Sequence, residues 1–139
     1  MSNSIQAGVA VTTITPPVGI QMMGFGARDH GAEGIHDDLH AKALWLRQDT
    51  TDIVFLSVEV SALSVADVNT IKATLAEEQG LPPAHLLINN THTHAGPLVA
   101  PRLHAAAGEP DATYLAQLRQ AIVAVAGAAK QALGPATLA

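Results

Sequence analysis

A chain of 139 residues is the usual size of one domain and can bury a hydrophobic core. A formal charge of −5 and an aromatic content of 3% exclude the usual nucleic-acid binder, which carries a basic patch and stacking aromatic rings. The absence of cysteine excludes a disulfide framework and a thiolate zinc site, so a metal would have to rely on His, Asp, Glu or Tyr. The chain is 48% hydrophobic, largely alanine, and only 14% charged, where about a quarter is typical. That composition suits close-packed helices lying on a sheet. Residues 1–6 show neither a basic n-region nor an apolar h-region, so no signal peptide is expected and the expected location is cytoplasmic. The most apolar stretch, 121–129, is too short for a transmembrane segment.

In chain order, residues 6–14 are rich in Val and Thr and predict a strand that stops at Pro16-Pro17. Residues 19–34 are glycine-rich and lack periodicity, which predicts a long loop. Residues 39–46 and 53–60 predict two strands paired as a hairpin around the polar turn 48–52. Ser64 is placed to cap a helix, with Asp67 three residues on, and Val65, Val68, Ile71 and Leu75 predict its apolar face. Gly80 ends that helix and Pro82-Pro83 prevents its continuation. A short strand follows over 85–90, then a loop from 91 to 110. Asp111 caps a long helix that reaches Leu133, buries Leu115, Leu118, Ile122, Val125 and Ala129, and is closed by Gly134-Pro135. Residues 136–139 look like the opening of another strand.

The order is therefore β-β-β-α-β-α with a further strand beginning. The strand-helix-strand unit predicts a parallel pair, and the hairpin makes the sheet mixed. The fold class expected is α/β, a layered mixed sheet flanked by helices, with 1–139 as a single domain. A strand opening at the last residues points to a chain that continues.

The segment that carries chemistry is Asn89-Asn90-Thr91-His92-Thr93-His94-Ala95-Gly96-Pro97. It lies where a buried strand gives way to a loop, the usual place for a site in an α/β protein. In extended backbone, residues two apart share a side. His92 and His94 would then present both imidazoles to one pocket while Thr91 and Thr93 face away. Two imidazoles so placed could chelate zinc, whose catalytic sites take three protein ligands and keep one position for water. By spacing alone the signal is weak in a chain with seven histidines, and surface or hydrogen-bonding roles compete with it.

Resemblance sharpens the reading. Thr91-His92-Thr93-His94-Ala95-Gly96-Pro97 is similar to the THTHSGP signature of neutral, non-lysosomal ceramidases, with Ala95 in place of Ser. Ile14-Thr15-Pro16-Pro17-Val18-Gly19 followed by Met22-Met23-Gly24-Phe25-Gly26 resembles that family's ITPP…G…MMGY pattern. Residues 34–43 resemble its GIHDPLYARA block, and 53–60 its VLVSVDL strand, with Glu59 where Asp is common. Four blocks in one order make the match specific. The resemblance implies the N-terminal portion of a longer catalytic domain and a zinc-dependent hydrolysis of the ceramide amide to a sphingoid base and a fatty acid. It implies His92 as a Zn2+ ligand and His94 as a catalytic group holding the substrate or the developing oxyanion. The family's other ligands, a later histidine, a glutamate and a tyrosine, lie beyond residue 139. The partner expected is a small-molecule or lipid amide. The alternatives are an incomplete, non-catalytic fragment of such an enzyme, or a relative acting on another amide or an ester.

Other polar residues have plainer readings. His36 and His40, if extended, lie about 13 Å apart and are too far for one ion. Glu59 either supports a ligating imidazole or sits at the exposed end of its strand. Arg28 and Asp29 either shape an entrance or form a surface salt bridge. Met22, Met23 and Phe25 either wall an acyl-chain site or pack on the core. His30 fits a solvated loop position, and His85 and His104 have no special context.

Overall fold

The computed structural model describes residues 5–100 and 108–137. Five strands form one sheet: β1 (Ile5–Thr13), β2 (His40–Gln48), β3 (Thr51–Val58), β4 (Leu86–Asn90) and β5 (Gly134–Ala136). Helix α1 (Val65–Gln79) connects β3 to β4, with a 3-10 turn at Pro83–His85, and α2 (Ala112–Gln131) lies between β4 and β5. The spatial order is β4-β3-β2-β1-β5. The β3–β4 pair is parallel and the other three pairs are antiparallel. This is the mixed, layered α/β fold expected from the sequence.

The hairpin closes at Gln48↔Thr51. Its turn places Asp49 at φ 51°, a left-handed conformation that aspartate tolerates better than most residues. Arg47 braces it through two hydrogen bonds from Nε and Nη2 to Asp52, at 2.6 and 2.8 Å. That guanidinium holds the Asp52 carboxyl below its ordinary range. The pair therefore stabilises the fold at neutral pH, and its contribution is lost as pH falls through the depressed value.

Alternation along the strands sorts the two faces. Ala41, Ala43 and Trp45 of β2 and Val54, Leu56 and Val58 of β3 are buried on one face. Ile71 and Leu75 of α1 and Leu118, Ile122, Val125 and Ala129 of α2 join them in a single core. On the opposite face, Val9, Leu44, Phe55 and Leu87 are register partners in one row across four strands. Val9 is 68% exposed, so both helices lie on the Trp45 face.

The helix starts follow their caps. Ser64 Oγ accepts from Asp67 N, and Asp111 Oδ1 accepts from Tyr114 N at 2.7 Å. Gly80 ends α1 in the left-handed conformation at φ 68°. The apolar face predicted for α1 is rotated, however. Val65 is 77% exposed and Asp67 is buried with Ile71 and Leu75. Asp67 can be buried because Arg119 Nη1 of α2 donates to its Oδ1 at 2.6 Å and Ser64 Oγ donates to Oδ2. The end of the chain differs too. The residues expected to close α2, Gly134-Pro135, begin β5, which pairs with β1 at Ile5↔Ala136, Gln6↔Pro135 and Ala7↔Gly134. Proline is tolerated there because β5 is an edge strand. Residues 138–139 lie outside the described residues. Among the described residues, no helix is long and apolar enough to cross a membrane.

Tyr114 ties the start of α2 to the chain leaving β1. Its buried hydroxyl donates to the Ile14 carbonyl at 2.6 Å, and burial pushes its pKa well above the ordinary phenol value. Tyr114→Phe strands that carbonyl and is expected to cost about 1–2 kcal/mol, read as a lower urea midpoint at unchanged m-value. A midpoint equal to wild type would show that the bond contributes nothing net.

Candidate functional site

Pairing between β3 and β4 runs past the end of both strands. Thr91 N donates to the Val58 carbonyl at 3.0 Å, and His92 N donates to the Val60 carbonyl at 3.1 Å. At His92 the backbone turns into the left-handed region, φ 60°. That conformation costs a non-glycine residue about 1 kcal/mol or more and gathers at functional sites. The turn replaces the extended backbone expected through 91–94, and the two imidazoles still come to lie side by side. His94 Nε2 lies 3.3 Å from His92 Nε2, with the rings 4.9 Å apart at 68°.

The other nitrogen of His92 is fixed. Nδ1 lies 2.8 Å from the main-chain carbonyl of Ser61, which can only accept, so Nδ1 carries the proton and Nε2 presents a lone pair. An imidazole oriented by a carbonyl in this way has the form of a metal ligand. The 3.3 Å between the two Nε2 atoms places the His94 ring beside that lone pair. Without a cation, the same separation fits a hydrogen bond from His94 Nε2–H to the His92 lone pair. Among the described residues, no third His, Cys, Asp or Glu joins the pair. The residues present fit part of a metal site.

The pocket is not where alternation placed it. A cleft of about 600 Å³ lies on the other side of the 91–95 segment, lined by Thr91, Thr93, Glu59, Asp38, Leu39 and Met22, among others. The threonines expected to face away therefore wall the cleft. His92 and His94 do not line it and are exposed in this chain. Both imidazoles are exposed just past the end of the edge strand β4.

Glu59 follows β3 and supports neither imidazole of the pair. Its carboxylate accepts from Lys42 Nζ at 2.7 Å and from His40 N at 2.8 Å, and the Lys42 ammonium leads in holding its pKa below the ordinary carboxylate range. Main-chain Ser61, which no side-chain pattern reveals, orients His92 instead. His36 pairs with its neighbour Asp37 at 2.7 Å in solvent, and His40 Nδ1 lies 3.4 Å from Glu59, so these two histidines go to different partners. His85 Nδ1–H donates to the Asp52 carbonyl at 2.8 Å, and His30 Nδ1 contacts the Gly31 carbonyl at 2.9 Å. His104 lies outside the described residues. Arg28 lies over the Phe25 ring, 5.0 Å from its centroid, and not against Asp29.

The loop 19–34 is the part of the site that spacing missed. Leu98 N donates to the Gln21 carbonyl at 2.7 Å, and Met23 N donates to the Gly96 carbonyl at 3.0 Å. Ser61 Oγ donates to Met23 Sδ at 2.8 Å. The loop is thus stitched to the segment that follows the histidines. Gly24, at φ 115°, lies so close to His94 that an added Cβ would stand 2.4 Å from the His94 Cβ. The glycine in Met23-Gly24-Phe25 was the available signal for that approach.

Comparison with solved structures agrees with this fold. The chain resembles a crystal structure of neutral ceramidase from Pseudomonas aeruginosa, with a TM-score of 0.83 at 18% identity over 97% of this chain and 23% of that one. It also resembles a structure described as ceramidase complexed with C2, with a TM-score of 0.82 at 18% identity over 96% of this chain and 22% of that one. The chain thus spans less than a quarter of the length of these solved neighbours. No curated protein matches the sequence. The family model for neutral/alkaline non-lysosomal ceramidase, N-terminal, matches residues 5–138. The fold, the ordered sequence blocks and that match agree, and this chain belongs to the neutral/alkaline non-lysosomal ceramidase family, of which it carries the N-terminal part.

Proposed function

We propose that this chain supplies part of the active site of a zinc-dependent hydrolase of carboxylic amide bonds, cleaving an N-acylsphingosine-like substrate to an amine and a fatty acid. The observation that carries this reading is the imidazole pair, with the His92 tautomer set by Ser61 and its Nε2 lone pair facing His94. His92 would hold Zn2+ through Nε2. Zinc, when bound, supplies Lewis acidity toward the amide carbonyl and lowers the pKa of water. His94 then acts on the substrate: its Nε2–H donates to the carbonyl oxygen as negative charge develops there, the role of an oxyanion-hole donor. Ser61 keeps the His92 proton on Nδ1 throughout.

The same residues support a second statement about the chain alone. One or two imidazoles hold zinc less tightly than a completed site, and no further His, Cys, Asp or Glu stands beside the pair among the described residues. These 139 residues by themselves are expected to show little or no amidase activity. The test is a panel of ceramides, simple N-acyl amines and esters, offered to the isolated chain and to the zinc-loaded protein extended to the length of its solved neighbours. Chelator-sensitive ceramide hydrolysis by the longer protein alone is expected. Hydrolysis confined to esters or to other amides would overturn the substrate assignment, and robust zinc-dependent turnover by the isolated chain would overturn the division of the site.

A further inference from the structure

The His94 side chain is exposed, so burial alone does not select its rotamer. Three contacts do surround it. The backbone of Gly24 leaves no room for a methyl group beside its Cβ and Cγ, at 2.4 and 2.5 Å from an added Cβ. The His92 ring meets one edge. The Phe25 ring stands edge-to-face against it, with centroids 5.9 Å apart and planes at 86°. Edge-to-face ring pairs are favoured by the ring quadrupole, which biases the choice among staggered rotamers.

Phe25 is itself 55% exposed, so it adds little to the core. Its position is held from outside. The Arg28 guanidinium lies 5.0 Å from the ring centroid, a cation–π distance, and Arg28 Nη1 reaches the Met23 carbonyl at 3.5 Å. Arg28 N also donates to the Phe25 carbonyl at 3.1 Å. An exposed ring braced in this way and aimed at an exposed imidazole is not explained by fold stability. A turn of the His94 χ1 to another staggered well would carry Nε2 away from His92 by several ångströms.

We propose that Phe25 is a positioning residue for His94, its ring selecting the rotamer that brings the His94 Nε2 beside the His92 Nε2. The consequence for catalysis rests on the role given to His94 above; the placement itself does not. The experiment uses the 139-residue chain, labelled for NMR, with the His94 χ1 read from three-bond couplings and the ring contact from nuclear Overhauser effects. Wild type is expected to hold one rotamer with a Phe25–His94 contact. Phe25→Ala should average the His94 χ1 while leaving the Tm within about 2 °C, because the removed ring is largely exposed. Phe25→Tyr, which keeps the ring edge, should restore the single rotamer. A single His94 rotamer in Phe25→Ala, or averaging in wild type, would overturn the proposal.

In the longer zinc-loaded protein, Phe25→Ala should lower kcat about tenfold at unchanged KM, with recovery in Phe25→Tyr. An averaged rotamer with unchanged kcat would reject the catalytic role of His94 and leave the positioning contact standing. A single rotamer in Phe25→Ala would reject the contact and leave the hydrolase reading standing.

Discussion

Gly8→Ala is expected to destabilise the chain by about 3 kcal/mol or more, a large share of the roughly 5–15 kcal/mol that holds a domain together. Gly8 lies in β1 opposite Trp45, on the face covered by α2. A Cβ there would stand 2.0 Å from the Ala129 carbonyl oxygen and 2.9 Å from Ala132 C and Leu133 N. All three atoms are backbone, so no side chain can swing aside. The helix end must lift, and with it the packing of Ala129 and Val125 in the core. It also disturbs Leu133-Gly134, where the chain leaves α2 to form β5. Gly34→Ala is the control, because an added Cβ at Gly34 meets nothing within 4 Å. Its urea midpoint should stay within about 0.5 kcal/mol of wild type. A Gly8→Ala midpoint as high as that of Gly34→Ala would show that α2 does not seat on β1 as described.

The second large effect concerns the site. His92→Ala in the longer protein is expected to lower kcat/KM by well over 100-fold, the upper range for losing a residue that merely supports a ligand. It removes the Nε2 lone pair and leaves the Ser61 carbonyl without its donor. It should not unfold the protein, since the side chain is exposed and the left-handed conformation at φ 60° is slightly strained for any non-glycine residue. His94→Ala should instead lower kcat by about 10²–10³, as for loss of one oxyanion donor, with little change in metal content. Equal losses of bound metal in the two variants would show that His94 is a ligand as well.

The fold was largely legible in the residues. Ser64 and Asp111 marked helix starts, Gly80 an end, and the runs 39–46 and 53–60 around a polar turn marked the hairpin. The face of α1 was read correctly at Ile71 and Leu75 but not at its start, because periodicity counts only apolar residues. The buried position went to Asp67, whose partner Arg119 is remote in sequence and could not be paired with it beforehand. β5 was displaced because Gly-Pro reads as a helix stop, and the edge position that tolerates proline is a property of the sheet. In the site, His92 and His94 were visible as a pair. Their orientation was not, because it depends on a main-chain carbonyl at Ser61 and on a glycine at 24, neither of which advertises chemistry. The cleft on the threonine side was also hidden, since alternation says which residues share a side and not which side is concave.

The central claim is that His92 is the metal-holding residue of this chain. Calorimetric titration of Zn2+ into the isolated wild-type chain and into His92→Ala tests it most directly. Wild type is expected to bind one zinc ion weakly, as a single assigned imidazole with water in the remaining positions would, and His92→Ala to lose that binding at least tenfold. Superimposable titration curves for the two proteins would contradict the account.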